Sequence, residues 1–167
     1  KRTIRRAAGR NTFPAAAASG GEIEITGVEP VVLVEPLKVL RKMGAGLRIF
    51  VAAGPKARIR MVMERRPAGI TIDTGPYPGF PTDMQSQMLA CLCQARGDST
   101  VTEHIFENRY KVVPELIRMG GNITVDQRRA VIHGPCRMHG ETVEAKELRG
   151  GAALVIAGLA AEGETVI

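Results

Sequence analysis

The chain has 167 residues, 44% of them hydrophobic, 24% charged and only 4% aromatic, with no Trp and a formal net charge of +6. This balance excludes a disordered segment, and the length allows one domain, or one large piece of a bigger protein, with a core that needs no staples. No stretch reaches the roughly 18–20 apolar residues of a membrane span. No signal peptide is visible, and three cysteines (Cys91, Cys93, Cys136) at these spacings suggest no disulfide framework, so a reducing, cytoplasmic setting is expected.

The first ten residues, KRTIRRAAGR, hold five cations and no acid. A nucleic-acid arm would interleave aromatic residues for stacking, and none is present, so a solvated terminus is expected. TFPAAAAS reads as a helix of small apolar residues, closed by Gly20–Gly21 and followed by the alternating EIEI. VLRKMGAGLRI reads as a helix end with a basic last turn, a glycine stop and a strand. PKARIRMVMERR alternates charged and apolar residues as a half-exposed strand, and its excess of positive charge suits an anionic small-molecule substrate.

The second half repeats this order. DMQSQMLACLCQ and ARGDSTVT give a helix and a strand, ELIRMGGNITV a second helix and strand, and RAVIHG and ETVEAKE further strands, as AGITIDT does earlier. Gly97 lies 76 residues after Gly21, and Met43 and Met119 each lie 22 residues after those glycines. The helix-like GGAALVIAGLAA and Gly163 begin a third copy that reaches only ETVI. The expected organisation is one partial lobe over 1–167, with repeats at about 12–81 and 82–147 and a truncated third at about 148–167. A fragment, or a lobe that needs its other half, is expected; the alternative is a natural C-terminus paired at a sheet edge.

Between the repeats stands GPYPGFPTDMQSQM. Pro76, Pro78 and Pro81 restrict the backbone before Thr82 and Asp83. Thr82 as N-cap and Gln85 three residues on predict a capping box, with Asp83 in the first helical turn, where the dipole favours a carboxylate. Met84, Met88, Leu89 and Leu92 fall near one face. Asp83 is then either a plain dipole partner or a carboxylate whose direction is fixed for catalysis. HGPCRMH offers His133, Cys136 and His139 as metal ligands, with Cys91 and Cys93 as further candidates. On a helix, however, Cys91 and Cys93 point about 200° apart, a poor chelate.

PYPGFPTDMQSQ, TEHIFENRYKVVPEL, RMGGNITV and KELRGGAALVIAGLAAEGETVI resemble the enolpyruvyl transferases, and among them the UDP-N-acetylglucosamine 1-carboxyvinyltransferases. The resemblance is strong from Gly69 to Ile167 and weaker from Thr12 to Val51; the shikimate-pathway enzyme shares the fold but lacks this wording. It implies an α/β fold of repeated βαβαββ units, one lobe of an inside-out α/β barrel with helices inside a ring of sheets. It implies transfer of the enolpyruvyl group of phosphoenolpyruvate to the 3′-hydroxyl of UDP-N-acetylglucosamine with release of phosphate. No cofactor or metal is expected, and no nucleic-acid or membrane partner.

Carried over by motif, Asp83 is the catalytic base on the sugar hydroxyl, with Thr82 beside it. Ile105 contacts the nucleotide sugar, and Phe106 packs next to it. Arg109 and Arg149 face the anionic reactants, and the guanidinium fork suits that task. Each has a structural alternative. Ile105 and Phe106 would serve as core residues, Arg109 would pair with Glu107 or Glu115, and Arg149 would be a helix-entry residue paired with Glu147. The family's general-acid cysteine, Lys-Asn pair and last active-site arginine have no match here, and RAAGRNTF departs from the family's shorter start. A non-catalytic nucleotide-sugar-binding or scaffold lobe is the second reading.

Overall fold

The computed structural model describes residues 3–5, 12–51 and 54–167. Most of the basic N-terminal arm, and the irregular run as far as residue 11, lie outside the described residues.

Strands β1 (Thr3–Arg5), β2 (Gly21–Val28), β3 (Gly46–Val51) and β4 (Ala57–Met63) form one sheet in the order β1-β2-β4-β3. Strands β5 (Thr71–Asp73), β6 (Gly97–Thr102), β7 (Ile123–Asp126) and β8 (Arg129–Gly134) form a second in the order β5-β6-β8-β7. In each sheet the first two strands are parallel and the remaining pairs antiparallel. A helix joins each parallel pair: α1 (Thr12–Ser19) between β1 and β2, and α3 (Gln85–Leu92) between β5 and β6. Two further helices, α2 (Val34–Lys42) and α4 (Val113–Arg118), precede the two hairpins.

The same parallel step appears a third time across α5 (Leu148–Ala160). There it is reduced to single bridges, His139 to Glu162 and Thr142 to Val166. The strand predicted over ETVEAKE is therefore only a bridge, for a local reason. The N–H of Thr142 donates to its neighbour Glu141 Oε1 at 2.7 Å and that of Glu144 to Glu115 Oε2 at 3.4 Å, so side chains take donors that a ladder would use.

Helices α1, α3 and α5 pack on one another, with β2 and β4 against α1 and β6 and β8 against α3. Small residues permit this close approach: Ala15 to Ala18 of α1, Ser86 and Ala90 of α3, and Gly150, Ala153 and Ala157 of α5 are all buried. Every residue of α3 is buried, so the apolar face predicted for it is only part of what it hides. On β4 the predicted alternation holds, with Ala57, Ile59, Met61 and Met63 inward. Its outward Arg60 makes a two-bond contact to Glu22 at 2.7 and 2.8 Å, and Arg58 lies 4.6 Å above the Phe50 ring. Left-handed glycines follow α1 and α3 at Gly20 (φ 65°) and Gly97 (φ 81°), so in the first copy the turn falls one residue before the aligned Gly21.

Candidate active site

The loop ahead of α3 is tied back on itself. The N–H of Gly75 donates to Phe80 O at 2.9 Å, that of Gly79 donates to Pro76 O at 2.7 Å, and the Phe80 ring is buried beneath. A 3-10 turn over Thr82–Met84 follows, with Pro81 in the cap position, and leads into α3. The predicted capping box does not form. Because Pro81 precedes the first turn, Thr82 already lies inside it, and its hydroxyl donates to Glu103 Oε2 at 2.8 Å. Gln85 is fully buried, and its Oε1 accepts from Ser86 Oγ at 3.2 Å.

Asp83, in the middle of that turn, has a half-exposed side chain. Its Oδ1 accepts from Arg149 Nε at 2.7 Å and lies 3.9 Å from Arg109 Nη2. Arg149 stands in the first turn of α5, so this contact joins two helices far apart in sequence. Arg109 is 9% exposed, and its guanidinium lies 4.5 Å above the Phe106 ring. Between them Asn108 takes a φ of 55°, the left-handed region that Asn tolerates, and reverses the chain. Neither arginine pairs as the structural alternatives would have it: among the described residues Glu107 pairs with Arg128 and Glu115 with Arg118.

Thr82, Asp83 and Ile105 line one open cleft of about 470 Å³ with Gly75, Pro76 and Tyr77. Ile105 and Phe106 are partly exposed, not core residues. All six residues singled out from the sequence thus gather at one end of the helix core.

Glu103 was missed. It is 1% exposed, and its Oε1 accepts from the N–H groups of Ile105 at 2.9 Å and Phe106 at 3.1 Å. The signal was present in the strand period: Ser99 and Val101 point inward on β6, and Glu103 continues that register two residues on. Tyr110 supports the same loop, with its hydroxyl 2.8 Å from the carbonyls of Val101 and Arg128; burial pushes its pKa up.

The His and Cys residues of HGPCRMH do not converge. His133 Nδ1 lies 3.0 Å from Asp98 and His139 Nδ1 3.2 Å from Gly140 O, while Cys136 is hydrogen-bonded with Cys93 in the interior. Among the described residues no group of three or more His, Cys, Asp or Glu side chains stands where it could hold a metal ion.

A profile of the family described as EPSP synthase (3-phosphoshikimate 1-carboxyvinyltransferase) matches residues 10–167. The chain belongs to the EPSP synthase family. Within it, the chain is 46% identical over 153 residues to UDP-N-acetylglucosamine 1-carboxyvinyltransferase 3 of Symbiobacterium thermophilum, covering 92% of this chain and 35% of that protein. It is 48% identical over 154 residues to the UDP-N-acetylglucosamine 1-carboxyvinyltransferase of Desulfofundulus thermocisternus, covering 92% and 61%. The chain spans about a third of the length of most of the curated relatives it matches. In fold it is similar to the enolpyruvyl transferase NikO from Streptomyces tendae, with a TM-score of 0.73, 23% identity, and coverage of 90% of this chain and 36% of that one. It is also similar in fold to EPSP synthase from Acinetobacter baumannii, with a TM-score of 0.68, 19% identity, and coverage of 92% and 38%. The α/β lobe expected from the sequence is the fold observed. No described helix is long and apolar enough to cross a membrane.

Proposed function

We propose that this chain is part of a transferase that moves the enolpyruvyl group of phosphoenolpyruvate to the 3′-hydroxyl of UDP-N-acetylglucosamine, releasing phosphate in peptidoglycan synthesis. The enzyme works in the cytoplasm, and the remaining length of its relatives corresponds to the second lobe that closes the site. The reading rests on one observation above all. A half-exposed carboxylate, Asp83, has one oxygen on two arginines at the edge of a cleft. Its Oδ2 has no protein hydrogen bond among the described residues.

The chemistry follows from that arrangement. Asp83 Oδ2 accepts the sugar hydroxyl proton as the oxygen attacks C2 of phosphoenolpyruvate, and C3 takes up a proton to give a tetrahedral ketal. In the second step C3 releases a proton and the C–O bond to phosphate breaks. Arg149 and Arg109 hold the anionic reactants, because a guanidinium stays charged and binds carboxylate or phosphate through paired N–H groups. No residue of this chain is assigned to protonate C3; that group belongs to the other lobe.

In the full-length protein, Asp83→Ala is expected to lower phosphate release by about 10²–10⁴-fold, the range of a positioned general base, with the circular dichroism spectrum unchanged. Near-normal phosphate release by the variant would rule out the base assignment. Binding of the nucleotide sugar by the wild-type protein without any phosphate release would favour a non-catalytic lobe.

A further inference from the structure

We infer that Glu103 is a positioning residue that sets the site's geometry by holding the Asp83 turn and the Ile105–Phe106 loop on a single buried carboxylate. The inference deepens the function proposed above and rests on it. Glu103 Oε2 accepts from Thr82, the neighbour of Asp83, at 2.8 Å. Its Oε1 accepts from Ile105 and Phe106 at 2.9 and 3.1 Å. Phe106 in turn carries the Arg109 guanidinium on its ring, and Arg109 faces Asp83. Two routes therefore lead from Glu103 to Asp83, one through Thr82 and one through Phe106 and Arg109, and together they close a ring.

The chemistry of the position supports this role. An apolar residue at 103 would continue the inward series of Ser99 and Val101 without desolvating a charge. Among the described residues Glu103 has no ion-pair partner within reach, and its carboxylate is satisfied by hydrogen bonds alone. What a carboxylate supplies there is two oxygens that collect three donors from two separate elements. Other tethers hold the flanks of the loop: the His104 N–H donates to the buried Thr74 Oγ1 at 2.9 Å, and Arg128 reaches His104 O and Glu107 Oε1 at 3.3 Å. None of them takes the N–H groups of Ile105 and Phe106, which Glu103 alone collects among the described residues. A loop released by even about 1 Å would misplace Arg109 and Ile105, and displacement of that size lowers turnover by about 10²-fold.

The test uses the full-length protein with Glu103→Ala, Glu103→Gln and Thr82→Val, reading kcat/KM for phosphate release and amide exchange at Ile105 and Phe106. Glu103→Ala is expected to lower kcat/KM by about 10²-fold and to speed exchange at both amides. Glu103→Gln is expected to restore kcat/KM to within about tenfold and to keep both amides protected, since its Oε1 still accepts and its amide donates to Thr82. Thr82→Val is expected to lower kcat/KM while exchange at Ile105 and Phe106 stays slow. Wild-type kcat/KM in Glu103→Ala overturns the inference, as does a Glu103→Gln variant that keeps both amides protected yet matches the alanine variant. Should Glu103→Ala fail to fold, the Gln and Val variants decide. A wild-type protein that releases no phosphate sinks the proposed function instead. Amide exchange and the affinity for UDP-N-acetylglucosamine then still test the clamp.

Discussion

Cys136 and Cys93 share a hydrogen bond where α3 ends, and that contact splits their acidity. The bond from Cys93, reinforced by the Asn122 N–H at 3.2 Å from Cys136 Sγ, favours the Cys136 thiolate and holds its pKa below the ordinary 9.0. Cys93, bonded to that partner and shut away from water, is pushed far up, and burial alone pushes Cys91 up to about 12. The sign for stability follows from linkage. Between about 6 and 9.0 the unfolded chain keeps a proton on all three thiols while the folded chain loses the one on Cys136, so their contribution grows as pH rises through that window. Above 9.0 the unfolded chain releases protons that Cys91 and Cys93 still hold, so it declines. The difference in urea midpoint between wild type and Cys136→Ser, in reducing buffer, is expected to widen in favour of wild type from about pH 7 to 9. A difference that stays flat over that range defeats the assignment. Neither the contact nor the split was legible in the sequence: Cys93 and Cys136 sit 43 residues apart, and only the pairing of β6 with β8 brings the ends of α3 and β8 together.

At the level of elements, the parallel bridge across α5 is set by a glycine. A Cβ at Gly140 would run into the backbone of Glu164, whose chain lies directly against it. Backbone cannot rotate aside as a flexible side chain would, so the two segments must separate. Gly140→Ala is expected to destabilise the protein by about 1–3 kcal/mol, the usual effect of overpacking a close contact. Gly21→Ala is the control, since no atom lies within 4 Å of its added Cβ and its φ is not positive; it is expected to stay within about 0.5 kcal/mol. Equal melting temperatures for the two variants would refute the contact. Helices and strands were otherwise readable where pattern and stop signals agreed, as in α1, α2, β4 and β8. They were misread where side chains took over backbone donors, as at Thr142 and Glu144, or where a proline moved the start of a turn, as at Thr82. All six candidate site residues were legible only through motif likeness, since spacing alone left Asp83 an ordinary dipole partner; Glu103 was legible in the period of β6.

For the whole molecule, the packing of three helices is what places the candidate site. Helices α1, α3 and α5 share one core, and Asp83 stands in the turn that leads into α3 while Arg149 stands at the start of α5. Their 2.7 Å contact therefore depends on how α5 seats against α1 and α3. Ala153, Leu154, Ile156 and Ala157 are the buried side of α5, and Ala153 is fully enclosed. A larger side chain there has no void to enter, because protein interiors are close-packed, so the helix must shift. Ala153→Leu is expected to lower stability by about 1–3 kcal/mol. The same shift draws Arg149 away from Asp83. Under the proposed function, it is therefore expected to slow phosphate release by the full-length protein even at temperatures where the variant is fully folded. Lys38→Ala, on the exposed face of α2 with a surface contact to Glu35 at 3.1 Å, is expected to change neither quantity, since such pairs contribute about 0–1 kcal/mol. If Ala153→Leu loses stability but keeps wild-type turnover when folded, the Arg149–Asp83 contact is a passive consequence of packing and not a condition of activity.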